Sequence, residues 1–327
     1  RVASQLESSK SFAKSFMDRH GIPTAKWQNF TDASEALHYA KSQSYPLVIK
    51  ADGLAAGKGV VIAQSFDEAK ATIAEWMSGK QLGGAGQSIV IEEFLKGREV
   101  SMIAICDGET AQLFQSAADH KRAYDGDQGP NTGGMGAVCP APWVTEALVE
   151  RVRNEVLEPT MAGMRADGVP FTGFLYMGIM VVGHTPYVLE YNVRLGDPEA
   201  QALLVRLETD FVELCARSAA KALYQQEALQ WDKRVSICVV MAAEGYPGQV
   251  KSGDEMTGIP PACDDAVVFH AGTTQRGGKL LTAGGRVLGV TALAADSDGA
   301  RYRAYEIARG IRWKGAWYRN DIGKHTS

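Results

Sequence analysis

Apolar residues at Leu6, Phe12, Phe16 and Met17 return to one side of a helix, with Ser4 and Glu7 as a capping box at its start and Gly21 with Pro23 at its end. A short strand is predicted near 25–30 and a helix over 32–44. Next comes PLVIK, a compact apolar strand ending on Lys50. After a glycine-rich loop, GVVIA reads as a strand, and Ser65 with Glu68 caps a helix near 66–78. This alternation predicts a small α+β module. From 88 onward the strands lengthen into SIVIEEFL and EVSMIAIC, and Asp107-Gly108 forms a hairpin turn into TAQLFQ. A long helix over about 145–166 precedes FTGFLYMGIMVV and PYVLEYNV, two strands joined at Gly183-His184. Helices near 199–206 and 209–224 follow, and from 235 the pattern is rich in strands and turns, which places a domain boundary near 220–234.

Composition narrows the class. A chain of 327 residues, 45% apolar and 22% charged, suits a soluble globular protein of two or three domains. The formal charge of −4 gives no sign of a nucleic-acid or membrane partner, so any anion must be met by local chemistry. The scattered cysteines Cys106, Cys139, Cys215, Cys238 and Cys263 form no CxxC and no zinc spacing with histidine; they read as reduced core thiols of a cytoplasmic protein. No secretory h-region opens the chain. Its opening residues plunge straight into a helix, as though an upstream domain were missing.

Four stretches carry candidate chemistry. KADGLAAGKGV, residues 50–60, resembles a Walker P-loop, but three residues instead of four separate Gly53 from Gly57, and Gly59 stands where a Ser or Thr is required. It is therefore no Walker loop. Its glycines still let backbone N–H groups approach phosphate oxygens, and the charge of Lys50, at the end of a buried run, needs a partner or a cavity. The alternative is a plain glycine hairpin with Lys58 in solvent. In IVIEEFLKGREVS, Glu92 and Glu99 flank a short hinge at Phe94-Leu95 that can offer backbone groups to an adenine edge, while the second carboxylate reaches ribose hydroxyls. A surface turn with solvated glutamates is the alternative. In LEYNVRLGDPE, strand alternation puts Glu190, Asn192 and Arg194 on one face. The first two suit a hard cation and the arginine suits a carboxylate or phosphoryl group; a polar face with an internal Arg–Glu pair is the alternative. SAADHKRAYDGDQGPNTGGMGA, residues 116–137, holds the cluster His120-Lys121-Arg122 among glycines and aspartates. It reads as a binding loop or lid without strand or helix, or else as a disordered surface loop.

In this order the four stretches resemble the ATP-grasp fold. ESSKSFAKSF, KADGLAAGKGVVIA, DHKRAYDGDQGPNTGGMGA, LEYNVRLGDPEAQ, VFHAGT, GGRVLGVTA and YRNDIG look like the phosphoribosylamine–glycine ligase family over essentially the whole chain. The DHKR and GDPE stretches are specific, whereas the ATP signature alone indicates only the superfamily. The resemblance implies an α/β (α+β) fold: a connecting helix at 1–20, an ATP-grasp small subdomain at 21–90, a central subdomain at 91–225 and a mixed, β-rich C-terminal domain at 226–327. By position, Lys10 and Lys50 match the nucleotide lysines, and Gly53, Gly57, Lys58 and Gly59 match the loop that folds over the phosphates. Glu92 matches the acceptor of the adenine amine, Glu93, Phe94 and Leu95 the hinge, and Glu99 the ribose partner. Glu190 and Asn192 match ligands of Mg2+ or Mn2+. Asp119, His120, Asn131, Thr132, Gly133, Gly134 and Asp197 are the implied substrate contacts, and Arg194, Lys121 and Arg122 the implied catalytic cations.

The implied reaction is ATP-dependent joining of glycine to phosphoribosylamine through glycyl phosphate, in purine biosynthesis, with small-molecule partners only and an open oligomeric state. Two departures stand out. Gly178 or a neighbour occupies the place where related ligases carry an aspartate, and family members carry an upstream Rossmann-like domain that helps hold the phosphoribosyl group. The alternatives are a nucleotide-binding fragment with little ligase activity and a different ATP-grasp carboxylate–amine ligase.

Overall fold

The structure is a computed structural model that describes residues 2–53, 55, 59–79 and 81–324. The chain divides into two compact units. The first comprises Arg1–Leu113, Thr145–Leu195 and Val212–Glu227, and the second Phe114–Val144, Gly196–Phe211 and Ala228–Ser327. The stretches 114–144 and 196–211, which the sequence pattern groups with the central segment, thus belong with the C-terminal residues.

In the first unit, one antiparallel sheet runs Trp27–Phe30, Ile89–Glu93, Leu47–Ala51, Val60–Ala63. Helices Ala33–Ser42 and Phe66–Met77 cover it, and Phe30, Ile49, Ile73, Trp76 and Ile91 share the core. Their caps are side-chain oxygens, Asp32 for the first and Ser65 for the second. A second sheet runs Thr185–Asn192, Thr172–Val182, Arg98–Asp107, Ala111–Leu113. The turn after Arg98–Asp107 is closed by the Asp107 carboxylate, whose Oδ1 accepts from the N–H groups of Glu109 and Thr110.

The expected opening helix is two helices, Gln5–Ser8 and Lys10–Arg19. Ser9 is extended, at φ −139°, and its hydroxyl accepts from Phe12 N, so the effective cap is Ser9 and not Ser4. The helix expected over 145–166 starts at its Thr145 cap and is interrupted by a π segment, Arg153–Leu157, before Glu158–Ala166. Pro159 brings no N–H to the ladder there, and the wider turn accommodates the missing bond.

The second unit is built on an antiparallel sheet ordered Ala266–His270, Arg286–Ala294, Val235–Ala242, Gly136–Cys139, Ala118–Asp119. Helix Ser297–Gly310, unforeseen in the pattern, packs Ala300, Ala304, Tyr305 and Ala308 into the core with Val239, Val290 and Ala292. The stretch 116–137 is not structureless: it supplies two strands of this sheet and a hairpin of Arg122–Tyr124 with Gln128–Asn131. Cys106, Cys139 and Cys238 are buried, and burial raises their thiol pKa values; Cys215 is half-buried and Cys263 is exposed, outside the expected core set. Among the described residues, no helix is long and apolar enough to cross a membrane.

Candidate active site

In the first unit, Lys50 leaves the buried Leu47–Ala51 strand, and its ammonium lies 3.0 Å from Glu92 Oε2, 2.9 Å from Glu92 Oε1 and 2.9 Å from the Leu189 carbonyl. Val48↔Glu92 and Lys50↔Val90 are the ladder pairs that set this approach. Glu92, 2% exposed, also meets Lys14 Nζ at 2.8 Å. Its Oε1 is buried beside Lys50 yet receives no well-aligned hydrogen bond, which leaves an acceptor position for an incoming amine. Lys10 is half-buried at the start of its helix, and burial lowers its pKa against the opposing pull of Glu190. Asp52 fixes that helix start, accepting from Ser9 Oγ, Ser11 N and Ser11 Oγ at 2.7–3.1 Å.

The phosphate-loop glycines that are described sit where side chains do not fit. A β-carbon on Gly53 would lie 2.9 Å from Ala85 Cα, and one on Gly59 2.7 Å from Ala55 Cβ. Gly57 and Lys58 lie outside the described residues. At the hinge, Glu93 Oε1 accepts from Lys26 N at 2.9 Å, Phe94 is 39% exposed, Leu95 is half-buried, and Glu99 pairs with Met180 in the second sheet.

Glu190 and Asn192 are both half-buried on Thr185–Asn192, and Gly178 stands opposite Glu190. The strand ends at Asn192. Beyond it, exposed Arg194 pairs with Glu7 at 3.1 Å and reaches Asn192 Oδ1 only at 3.5 Å. Among the described residues, no cluster of three or more His, Cys, Asp or Glu side chains gathers as metal ligands.

The remaining candidates belong to the second unit. Asp119 pairs with Ala137 in the sheet. His120 is anchored through its backbone N–H to Gly136 O at 2.9 Å, and burial followed by the nearby Arg319 charge lowers its pKa. The Lys121 carbonyl accepts from both N and Oγ1 of Thr132, at 2.7 and 2.9 Å. Arg122 lies opposite Asn131 in the hairpin and donates to Gly129 O. Gly134 has φ +110° and would carry a β-carbon 2.4 Å from Pro198, so only glycine fits. Arg286 ties the segment to Asp197, donating to Gly133 O at 2.7 Å and pairing with the Asp197 carboxylate at 3.0 Å; Tyr246 OH accepts from Gly133 N.

A further clamp holds the turn between the hairpin strands. Arg319, 2% exposed, reaches Asp127 Oδ1 and Asp321, and it donates to Arg122 O. Asp321 accepts from Gly126 N, and Asn320 engages Asp125 through N and Nδ2. Sequence reasoning missed Lys14, Tyr246, Arg286, Arg319 and Asp321 as site residues. Lys14 stands one helical turn after Lys10, and Arg286, Arg319 and Asp321 lie in the GGRV and YRNDIG stretches, which were the signals available.

Residues 8–200 match the family described as phosphoribosylglycinamide synthetase, ATP-grasp (A) domain, and residues 236–325 match the phosphoribosylglycinamide synthetase C domain. A phosphoribosylamine–glycine ligase of Vibrio vulnificus is 51% identical over 325 residues, which is 99% of this chain and 76% of that protein. The chain belongs to the phosphoribosylamine–glycine ligase family. Another such ligase, from Ralstonia nicotianae, is 51% identical over 99% of the chain and 76% of its own length. The crystal structure of phosphoribosylamine–glycine ligase from Thermotoga maritima superposes with a TM-score of 0.91 at 37% identity, covering 98% of this chain and 79% of that one. A biotin carboxylase domain from Hydrogenobacter thermophilus, at 17% identity and TM-score 0.71 over 95% of this chain and 67% of its own, shares the fold. The ATP-grasp match of this phosphoribosylamine–glycine ligase family member spans Lys10, Lys14, Lys50, Glu92, Glu190 and Asn192, and the C-domain match spans Tyr246, Arg286, Arg319 and Asp321.

Proposed function

We propose that this chain joins glycine to 5-phosphoribosylamine at the expense of ATP, through glycyl phosphate, giving glycinamide ribonucleotide, ADP and phosphate. The observation that carries the reading is the buried group of Lys14, Lys50 and Glu92, two cations against one carboxylate, beside half-buried Lys10. An excess of buried positive charge is costly without an anionic ligand, and a polyphosphate supplies one.

The glycine carboxylate is a poor electrophile until one oxygen becomes a leaving group. Its attack on the γ-phosphorus breaks the bond to ADP; the amine of phosphoribosylamine then attacks the acyl carbon, phosphate departs, and the amine proton passes to it or to solvent. Lys10 meets the charge that spreads over the transferred phosphoryl group, Lys50, 2.9 Å from Glu92 Oε1, meets a phosphate nearer the adenine, and Gly53 and Gly59 leave room for the phosphates to approach the backbone. Glu92 Oε1 takes the adenine amine and Glu99 the ribose hydroxyls. Glu190 Oε and Asn192 Oδ1 are hard oxygen donors that would hold Mg2+ or Mn2+, which supplies neutralisation of the phosphate oxygens. Arg194 grips the glycine carboxylate, and His120, Lys121 and Arg122 meet the phosphoribosyl phosphate, with Asp119, Asn131, Thr132, Gly133, Gly134 and Asp197 framing the substrates. No side-chain nucleophile is required, and positioning carries the catalysis.

The test measures ADP release by the purified chain with glycine, with and without phosphoribosylamine, and follows glycinamide ribonucleotide by mass. Amide product that depends on all three substrates supports the reading. ADP release with a different amine acceptor, and none with phosphoribosylamine, would overturn it.

A further inference from the structure

Lys14 has no role in the reaction described so far, yet it is one of the largest fully buried side chains and the more deeply placed partner of Glu92. Its ammonium lies 2.8 Å from Glu92 Oε2 and donates to Thr24 Oγ1 at 2.8 Å. The Thr24 hydroxyl in turn donates to the Val188 carbonyl at 2.6 Å, so its lone pair is aimed at Lys14. This chain of bonds fixes Lys14 from both ends. Lys50, on the other side of the same carboxylate, spends its contacts on Glu92 and on Leu189 O.

We infer that Lys14 is a positioning residue: by neutralising Glu92 it leaves Lys50 with an uncompensated charge that a nucleotide phosphate can claim. With Lys14 present, the three groups sum to one positive charge. Without it, Glu92 and Lys50 form a neutral pair, and a phosphate would have to break that pair to be bound. Lys14 touches no reacting atom in this scheme and acts through Glu92 and Lys50. The inference rests on the nucleotide site proposed above and adds the residue that sets its charge.

A proton on Lys14 is required for this. Burial pushes its pKa down to about 8, against the pull of Glu92; Lys50 lowers it further and Asp18 raises it. The charge that frees Lys50 should therefore fade as pH rises through that value, a range in which the nucleotide's phosphates are already fully ionised.

The experiment uses the whole chain and titrates Mg-ADP by calorimetry on the wild type, Lys14→Met and Lys14→Met/Glu92→Gln. The single variant should bind Mg-ADP about tenfold or more weakly, the scale of one charge-assisted contact. The double variant restores one positive charge to the group and keeps an amide Oε1 that can accept the adenine amine, so it should recover part of that loss, which a purely structural role for Lys14 would not produce. Wild-type affinity should fall as pH is raised from 7 to 9, and the double variant, in which Lys10 with its lowered pKa remains but Lys14 does not, should fall less steeply over the same range. A folded Lys14→Met with wild-type affinity, or a double variant no better than the single one, would overturn the inference. Should Lys14→Met not fold, the wild-type series decides, and a flat affinity overturns it. A wild-type chain that binds no nucleotide at any pH would instead defeat the proposed function, and this inference with it.

Discussion

Gly178 faces Glu190 directly across the ladder between Thr172–Val182 and Thr185–Asn192, and a β-carbon at Gly178 would come within 3.3 Å of Glu190 Cγ. The neighbouring strand thus adds no carboxylate at that position, and the proposed metal donors remain Glu190 and Asn192. Glu190→Gln and Asn192→Ala should each lower ligation at saturating magnesium by roughly a hundredfold, the scale of one lost electrostatic stabiliser, while the thermal midpoint stays near wild type. Normal turnover of either variant would refute the metal assignment.

Lys50→Met should weaken ATP binding by about 1.5–3 kcal/mol, the value of a charge-assisted hydrogen bond. The fold should survive, because Lys14 still compensates Glu92 at 2.8 Å. Calorimetry with Mg-ATP checks the affinity, and circular dichroism checks the fold.

Arg319→Met removes the group that joins Asp127, Asp321 and the Arg122 carbonyl. Breaking such a buried cluster should cost about 3 kcal/mol in unfolding free energy. Because the hairpin that carries Lys121 and Arg122 loses its anchor, KM for phosphoribosylamine should rise while Mg-ADP affinity holds. Equal losses in both would point to general unfolding.

Acid should reveal the same clamp. Burial raises the Asp321 pKa, but hydrogen bonds from Arg319 and Gly126 N outweigh it and hold the carboxyl at about 2, below its ordinary 3.8. A depressed carboxyl stabilises the fold above its unfolded value and loses that contribution as pH falls through the folded one. Asp321→Asn should therefore be less stable than wild type by on the order of 2 kcal/mol at pH 5, and the gap should close toward pH 2. Urea unfolding of both proteins across that range measures it.

The strands Leu47–Ala51, Val60–Ala63 and Ile89–Glu93 and the helix Phe66–Met77 lie where apolar patterning and caps put them, because each depends on local signals. The nucleotide candidates were legible for the same reason, each lying in a short stretch with its own chemistry. Lys14 was not, since a lysine on an amphipathic helix reads as a solvated face until its partner, 78 positions away at Glu92, is known. The 116–137 stretch hid its strands because glycines such as Gly126 and Gly129, both at positive φ, break alternation, and its sheet partner is the distant Val235–Ala242. Helix Ser297–Gly310 buries mainly alanines, Ala300, Ala304 and Ala308, which leave a faint apolar stripe. The interleaving of the two units is likewise a matter of long-range pairing that local patterning does not record.

The clasp of Asp125 and Gly126 by Asn320 and Asp321 spans 195 positions of chain. During synthesis the hairpin therefore leaves the ribosome well before its anchor does, a delay of roughly 10 to 40 seconds at about 5–20 residues per second. Over that interval the turn at Asp125–Asp127 lacks its anchor, so the frame proposed to present Lys121 and Arg122 to the second substrate is complete only once the YRNDIG stretch has been made.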